Sequence, residues 1–228
     1  VTNVLAKAAK MQGAKIIENC PVKKILVKKN KIVGVETEEG KIDCEYIVLA
    51  TGMWSRQLAA EINVSVPLYP DEHFYILTEP VEGIDRSLPV LRDYNHCLYI
   101  KEDAGKLLVG IFEPNAKPAF INTKLVPNDF SFGELPEDFE HFEPYLKHAI
   151  KRIPTLEKAG IRKFFCGPES FTPDGNYLLG ETPEVKNFFV CCGFNSIGIA
   201  SSGGAGRATA EWMINGGISE DIFSLDIS

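Results

Sequence analysis

At 228 residues, 45% of them hydrophobic, the chain can bury a sizeable core and has room for one large domain or two small ones. A formal net charge of −7 argues against a nucleic acid or an anionic membrane as the main partner, and no apolar run approaches the ~20 residues of a membrane-spanning helix. The six cysteines and four histidines show neither C-x-x-C pairing nor a ligand-like cluster, so no metal site is expected and free thiols in a reducing compartment are the default.

The chain opens inside an amphipathic helix. Val1, Val4, Leu5 and Ala8 keep the spacing of one buried face, and no capping residue precedes them, so the expectation is a piece of something longer, the alternative being a processed mature terminus. After Gly13, Ala14–Asn19 reads as a short strand. Ile25–Lys28 and Ile32–Thr37 alternate apolar and polar residues around Lys29–Asn30–Lys31, as in a hairpin. The five lysines between positions 23 and 31 fall on its solvated face. Glu45–Ala50 is an unbroken apolar run, as expected of a parallel strand buried on both faces. It runs through Thr51, Gly52, Met53 and Trp54 to a helix with Ser55 as N-cap.

From Val66 to about Pro118 the rhythm turns antiparallel, with strands at His73–Thr78, Cys97–Lys101 and Lys106–Ile111 and a turn at Asp103–Ala104–Gly105. Ala119–Leu135 reads as loop, and Pro136–Ile153 as a helix stopped by Pro154. Gly167–Gly175 is loop-like, and Phe188–Cys192 is a buried strand. The glycine-rich stretch Gly193–Gly206 then leads into a helix from about Ala205 to Ile214. The predicted fold class is α/β plus antiparallel β: one α/β domain formed by residues 1–62 and 161–228, interrupted by an antiparallel insertion over 63–160.

A strand, a small-residue loop and a helix put backbone N–H groups and a positive helix end at a sheet edge, which suits an anionic ligand group. Close helix–strand packing accounts for the same glycines, and the pattern alone does not choose between the two. G-x-G-x-x-G occurs nowhere in the chain. His73 reads as a half-exposed strand histidine and Tyr99 as sheet aromatic packing, while His96, His141 and His148 read as surface residues and Cys191–Cys192 as core.

Longer matches are more specific. Phe189–Gly206, with Gly167–Gly175 and Leu179–Glu181 before it, resembles the C-terminal flavin segment of the FAD-dependent dimethylglycine/sarcosine dehydrogenase family, within the D-amino-acid-oxidase-like flavoproteins. Glu45–Ser55 resembles that family's returning FAD-domain strand. The stretch from Pro67, with Leu91–Asp93, Leu98–Tyr99 and Val109–Pro114, resembles its substrate domain.

The resemblance implies a partial glutathione-reductase-type FAD domain with an inserted substrate domain, and oxidation of an N-methylated glycine by hydride transfer to FAD. It implies that Val22 contacts the adenine end of FAD. Thr51, Gly52, Trp54 and Gly193, Phe194, Asn195, Ser196, Ile197, Gly198 and Ile199 would lie near the flavin, with His73 and Tyr99 as the catalytic pair. Hydride loss from an N-methyl carbon needs a free amine lone pair, and a histidine titrates in a useful range for removing the ammonium proton.

The family's dinucleotide-binding segment would precede Val1, and the isolated chain would hold FAD weakly. A folate-binding aminomethyltransferase-like region would follow in many members. The location implied is cytoplasmic, or the mitochondrial matrix in a eukaryote. Two other readings are a non-catalytic protein resembling the pyruvate dehydrogenase phosphatase regulatory subunit and a different flavin amino-acid oxidase.

Overall fold

In the computed structural model, which describes residues 1–217 and 220–227, the chain divides into two compact units, Val1–Tyr69 with Ser170–Ser228, and Pro70–Glu169.

The first unit begins with α1 (Thr2–Met11), which buries none of its residues. Val4 is 70% and Leu5 47% exposed, so the apolar face expected to be buried has no cover among the described residues. Ala14–Asn19 is not a strand, because no described strand takes up its N–H and C=O groups. β1 (Val22–Lys28), β2 (Lys31–Thr37) and β3 (Gly40–Asp43) form an antiparallel meander. Lys28 pairs with Lys31 across a two-residue turn in which Lys29 and Asn30 both take left-handed φ, 51° and 54°. That turn type matches the twist of the strands it joins. Ile25 and Ile32 enter the core while the flanking lysines stay outside.

The unit's second sheet is β10 (Leu178–Glu181), β11 (Phe188–Cys192) and β4 (Ile47–Leu49), in that order, with β11 parallel to β4 and antiparallel to β10. β4 is shorter than expected and, among the described residues, stands at the edge of this sheet; Leu49 is buried while Val48 is 39% exposed, so only one face is covered. Ser55 is not the cap of α2 (Ser55–Ala60) but its first residue. It is fully buried, with its hydroxyl 3.0 Å from that of Thr51, and Trp54 takes the cap position.

The last helix, α4 (Gly198–Asn215), starts at Gly198 rather than Ala205, so Gly203 and Gly204 are helical and the loop ends at Ile197. Glycine lowers intrinsic helix propensity by about 1 kcal/mol per residue, but packing overrides it: Ala205 and Thr209 are buried, and the Thr209 hydroxyl donates to the Ala205 carbonyl. The helix stops at Gly216, which donates the last helical N–H to the Trp212 carbonyl and whose left-handed φ of 75° then breaks the helical run.

The second unit is a five-stranded sheet in the order β6 (Leu91–Asp93), β7 (Leu98–Asp103), β8 (Lys106–Ile111), β5 (Tyr69–Thr78), β9 (Ile161–Phe171). Its established strand registers are antiparallel. The region read as loop from Gly167 is strand as far as Phe171. β9 is an edge strand, where Pro168 costs no ladder bond on the open side. Phe74, Ile76, Leu98, Ile100, Leu107, Val109, Ile111, Phe164 and Cys166 point to one face and form the core with Phe142 and Ala149 of α3 (Phe139–Arg152). Asp138 caps that helix by accepting from the His141 N–H at 2.9 Å. The alternate residues His73, Tyr75, Tyr99, Gly110, Phe165 and Glu169 therefore share the opposite face.

Candidate functional site

In the first unit the parallel strands β4 and β11 end side by side, with Leu49 opposite Val190, and release two loops at their C-terminal edge. This is where open α/β sheets bind ligands. One loop is Thr51–Gly52, exposed and with open space where a Cβ on Gly52 would stand. The other begins at buried Gly193, left-handed at φ 68°, where a Cβ would come within 2.7 Å of the Thr172 methyl group.

Asn195 holds this second loop. Its amide group donates to the Gly193 carbonyl at 2.8 Å and the Thr172 hydroxyl at 3.0 Å, and its Oδ1 accepts from the Thr172 N–H at 2.8 Å. Phe194 stacks on Tyr177 with ring centres 4.7 Å apart, and the Ile197 N–H donates to the Phe194 carbonyl. The side chains of Phe194 and Asn195 are thus committed to shaping the loop, which leaves peptide groups for a ligand.

The first turn of α4, from Gly198, has N–H groups with no intrahelical acceptor and no side-chain cap, beside exposed Ser196, Ile197 and Ile199. It presents a partial positive charge. Trp54, half-buried, follows Gly52 through a single 3-10 turn. Val22 opens β1 in the other sheet, away from the β4–β11 edge in the ladder order.

In the second unit, His73 and Tyr99 meet on the open sheet face. His73 Nε2 lies 2.9 Å from Tyr99 Oη, and the two rings are within 5° of parallel. They are two strands apart and reach each other over Gly110, which pairs with Tyr99 across β7–β8. A Cβ there would stand 2.1 Å from Tyr99 Cζ, so the residue opposite Tyr99 has to be glycine for the ring to lie flat.

Phe112 packs against both rings, with centres 4.7 Å from His73 and 5.2 Å from Tyr99. The Arg92 guanidinium lies over Phe112 at 4.7 Å and over Tyr99 at 5.9 Å. Glu169 Oε2 lies 3.9 Å from His73 Nδ1. Burial, and secondly the charge of Arg92, hold His73 down at about 4. The ring is therefore neutral at pH 7 and serves as a hydrogen-bonding group, not as the base an ordinary histidine could be. Burial, followed by the Glu169 carboxylate, pushes the Tyr99 hydroxyl well above its usual range, so it too stays protonated.

The sequence had no role for Arg92, Gly110, Phe112 or Glu169. Strand alternation alone could not have added them, because they stand in other segments of the chain and only the cross-strand register brings them to the face of His73 and Tyr99. His141 is not a surface residue. Its side chain is 17% exposed, and Nε2 lies 2.8 Å from the buried Glu113 carboxylate. It sits in the first turn of α3, where the helix is anchored to the chain just beyond β8. His96 is solvent-facing beside Asp93 and stacks near half-buried His148. Burial pushes the Cys166 and Cys192 thiols up to about 12, which makes them inert core groups. Among the described residues no three His, Cys, Asp or Glu side chains could hold a metal, and no helix is long and apolar enough to cross a membrane.

A flavoprotein is the class that the features of the two units suggest, and comparison with known proteins identifies it. Residues 1–212 match the family described as DAO, FAD dependent oxidoreductase. The chain belongs to that family, and FAD is its cofactor.

It is 42% identical to 4-methylaminobutanoate oxidase (formaldehyde-forming) of Paenarthrobacter nicotinovorans, over 99% of the chain and 27% of that protein. It is 40% identical to the mitochondrial pyruvate dehydrogenase phosphatase regulatory subunit of Mus musculus, over 100% of the chain and 26% of that protein. With human mitochondrial sarcosine dehydrogenase it shares 41% identity, over 98% of the chain and 24% of the relative. The crystal structure of L-proline dehydrogenase from P. horikoshii superposes with a TM-score of 0.78 at 25% identity, covering 96% of this chain and 55% of that one. The fold is thus that of DAO-type FAD-dependent oxidoreductases, mixed α/β with antiparallel sheets. The chain spans about a quarter of the length of these curated relatives.

Proposed function

We propose that this chain is part of a flavin-dependent enzyme that oxidises an N-methylated amino acid, of the sarcosine or dimethylglycine kind, with FAD as hydride acceptor. On this reading the first unit is a partial FAD domain of the glutathione-reductase type and the second an inserted substrate domain. The observation that carries it is the His73–Tyr99 pair, held flat over Gly110 on an open sheet face. Similarity to enzymes named for methylated amines supports the substrate class.

The first unit's residues fit the flavin end of FAD. Open backbone at Gly52, the Gly193–Ile197 loop and the N-terminus of α4 offer a flat approach and donors aimed at developing negative charge. Val22 and Trp54 are assigned to the adenine and flavin ends by resemblance. A segment outside this chain carries the pyrophosphate loop, since the chain has no strand–G-x-G-x-x-G–helix of its own.

The bound flavin supplies the two-electron chemistry; the residues of this chain supply geometry and field. When Tyr99 donates to His73 Nε2, the Nδ1–H of the neutral ring faces Glu169. The outward lone pair of the Tyr99 oxygen then accepts from the N–H of the substrate ammonium as it arrives. An aromatic surround and the nearby Arg92 charge disfavour a cationic amine, which eases loss of its proton to solvent before hydride transfer.

The test is anaerobic mixing of the full-length, FAD-loaded protein with sarcosine, dimethylglycine, 4-methylaminobutanoate, glycine and L-proline. Bleaching of the flavin by a methylated amine, and not by glycine, supports the proposal. Bleaching by glycine alone favours a general amino-acid oxidase. No bleaching by any of them favours the second reading, a regulatory protein without turnover, which the relation to the phosphatase regulatory subunit brings into play.

A further inference from the structure

Two turns of the first unit bring four lysines together. Lys28 and Lys31 are directly opposite each other across the β1–β2 turn, and Lys29 stands in the turn itself. Lys186, in the connection between β10 and β11, is bridged to Lys31. Two backbone bonds hold these turns side by side: the Lys186 N–H donates to the Asn30 carbonyl at 2.9 Å, and the Ile32 N–H to the Lys186 carbonyl at 3.1 Å. All four lysines are exposed. Partners across a ladder send their side chains to the same face, so Lys28, Lys31 and Lys186 form a row of positive charge, with Lys29 next to it.

Local preferences are broken to put them there. Like charges directly opposite each other destabilise a sheet, and this row repeats that contact twice. A two-residue turn with left-handed φ at both positions favours asparagine, aspartate or glycine, yet Lys29 takes the first position at φ 51°. No carboxylate offsets the repulsion. Among the described residues none of the four lysines forms a salt bridge, whereas Lys23 and Lys41 of the same meander are paired with Glu38 and Asp43. Glu184, two residues from Lys186, accepts instead from the Ser65 N–H at 3.3 Å. Local rules broken without a compensating contact inside the fold mark a place used for something else.

We propose that this basic row is a docking surface for another protein, one that presents a compact cluster of carboxylates. The row is all lysine, and lysines are hydrated point charges suited to a wet contact with carboxylates, not to the bidentate grip on phosphate that arginine gives. The chain's net charge of −7 opposes the long-range approach of nucleic acid or of an anionic membrane. A small acidic patch on a folded partner meets the row alone, within the Debye length of ~8 Å at physiological ionic strength. Such contacts set the rate of encounter and the register of docking more than the final affinity. Lys186 stands just before β11, while the candidate ligand loops leave β4 and β11 at their C-terminal edge. A partner seated on the row therefore leaves those loops clear.

The test measures binding of a fluorescent oligoglutamate peptide by anisotropy, using the full-length, FAD-loaded protein at low and at physiological ionic strength. The wild type is compared with a row variant carrying Lys28→Gln, Lys29→Gln, Lys31→Gln and Lys186→Gln. The control carries Lys101→Gln, Lys124→Gln, Lys151→Gln and Lys158→Gln, which removes the same charge from exposed positions of the second unit. Exposed ion pairs are individually weak, and four together correspond to about 10-fold in affinity. That loss is expected in the row variant and a change within about twofold in the control, with wild-type binding weakening as salt is raised. Equal weakening in both variants, or none in the row variant, overturns the proposal, because binding then follows net charge alone. Tighter binding to phosphatidylserine-containing vesicles or to a DNA duplex than to oligoglutamate, lost in the row variant, overturns the assignment to a protein partner. Lys29→Asn and Lys31→Gln singly are expected to weaken the peptide and to raise the thermal unfolding midpoint, which lysines kept for the fold would not do. A lowered midpoint in both would make the row a structural feature and sink the inference.

Discussion

The two units build their sites from different parts of the residue. In the first, the candidate ligand surface is backbone: Gly52, the Gly193–Ile197 loop and the first turn of α4, with Asn195 and Phe194 spent on holding the loop in shape. In the second, it is side chains standing on a sheet, where His73, Tyr99, Phe112 and Arg92 lie against one another. A peptide group is presented correctly only if the chain around it is fixed, so the first site is altered by disturbing its supports. A side chain can be removed one functional group at a time. The account therefore expects substitutions in the first unit to change cofactor retention and those in the second to change substrate chemistry.

The largest expected effect is at Gly110, where the two styles meet in one residue. Gly110→Val forces a branched side chain into the position of the Tyr99 ring and expels it from the His73 pair. Overpacking costs about 1–3 kcal/mol. Thermal unfolding should shift down, and flavin reduction by a methylated amine should fall by at least the factor seen on removing either partner alone. Next comes Asn195→Ala, which removes two donors and one acceptor from the loop. At about 1 kcal/mol for each bond, retention of FAD on gel filtration should weaken by at least tenfold, while substrate selectivity stays unchanged in the protein that remains loaded. Tyr99→Phe keeps the ring over Gly110 and deletes only the bond to His73. A loss of about 3- to 10-fold in the rate of flavin reduction is expected, as for one neutral hydrogen bond.

Acid stability is a subtler test of the second unit. His73 is held at about 4, below its ordinary 6.5. Between those values the unfolded chain binds the proton and the folded one does not. Stability is thus unaffected by this group above about pH 6.5 and falls as the pH drops from there toward 4. Urea midpoints taken between pH 7 and 4.5 should show a shallower decline in His73→Gln than in the wild type. Equal slopes would mean that the ring is not held neutral.

The second unit was the more legible of the two in the sequence. Period-two alternation in His73–Thr78 and Lys106–Ile111 survives because one face is covered by α3 and the other is half-open. What stayed hidden there depends on cross-strand register. Nothing in one chain segment says that Gly110 lies opposite Tyr99 or that Arg92 follows it on β6.

The first unit misled at the points where composition and packing disagree. Gly203 and Gly204 read as loop and are helical, and Ser55 reads as a cap and is buried, with its hydroxyl turned to that of Thr51. Ala14–Asn19 reads as a strand and is not one, and the apolar side of α1 reads as buried and is exposed. A strand or an amphipathic face is defined by its neighbour as much as by its own residues, and the described residues supply none there. His141 escaped for a similar reason, since its partner Glu113 is 28 positions away in the chain.

The central claim is that the side chains of the second unit handle the amine while the backbone of the first holds the flavin. It is tested most directly by single-turnover flavin reduction in the full-length protein carrying His73→Ala, with the exposed His96→Ala as control. The account predicts an unaltered flavin spectrum and stoichiometry in both. Reduction by sarcosine or dimethylglycine should slow by about 10-fold in His73→Ala, which removes the partner that orients the Tyr99 hydroxyl and leaves that hydroxyl without its bond, and stay near wild type in His96→Ala. Reduction at the wild-type rate in His73→Ala, or loss of the flavin itself, would contradict it.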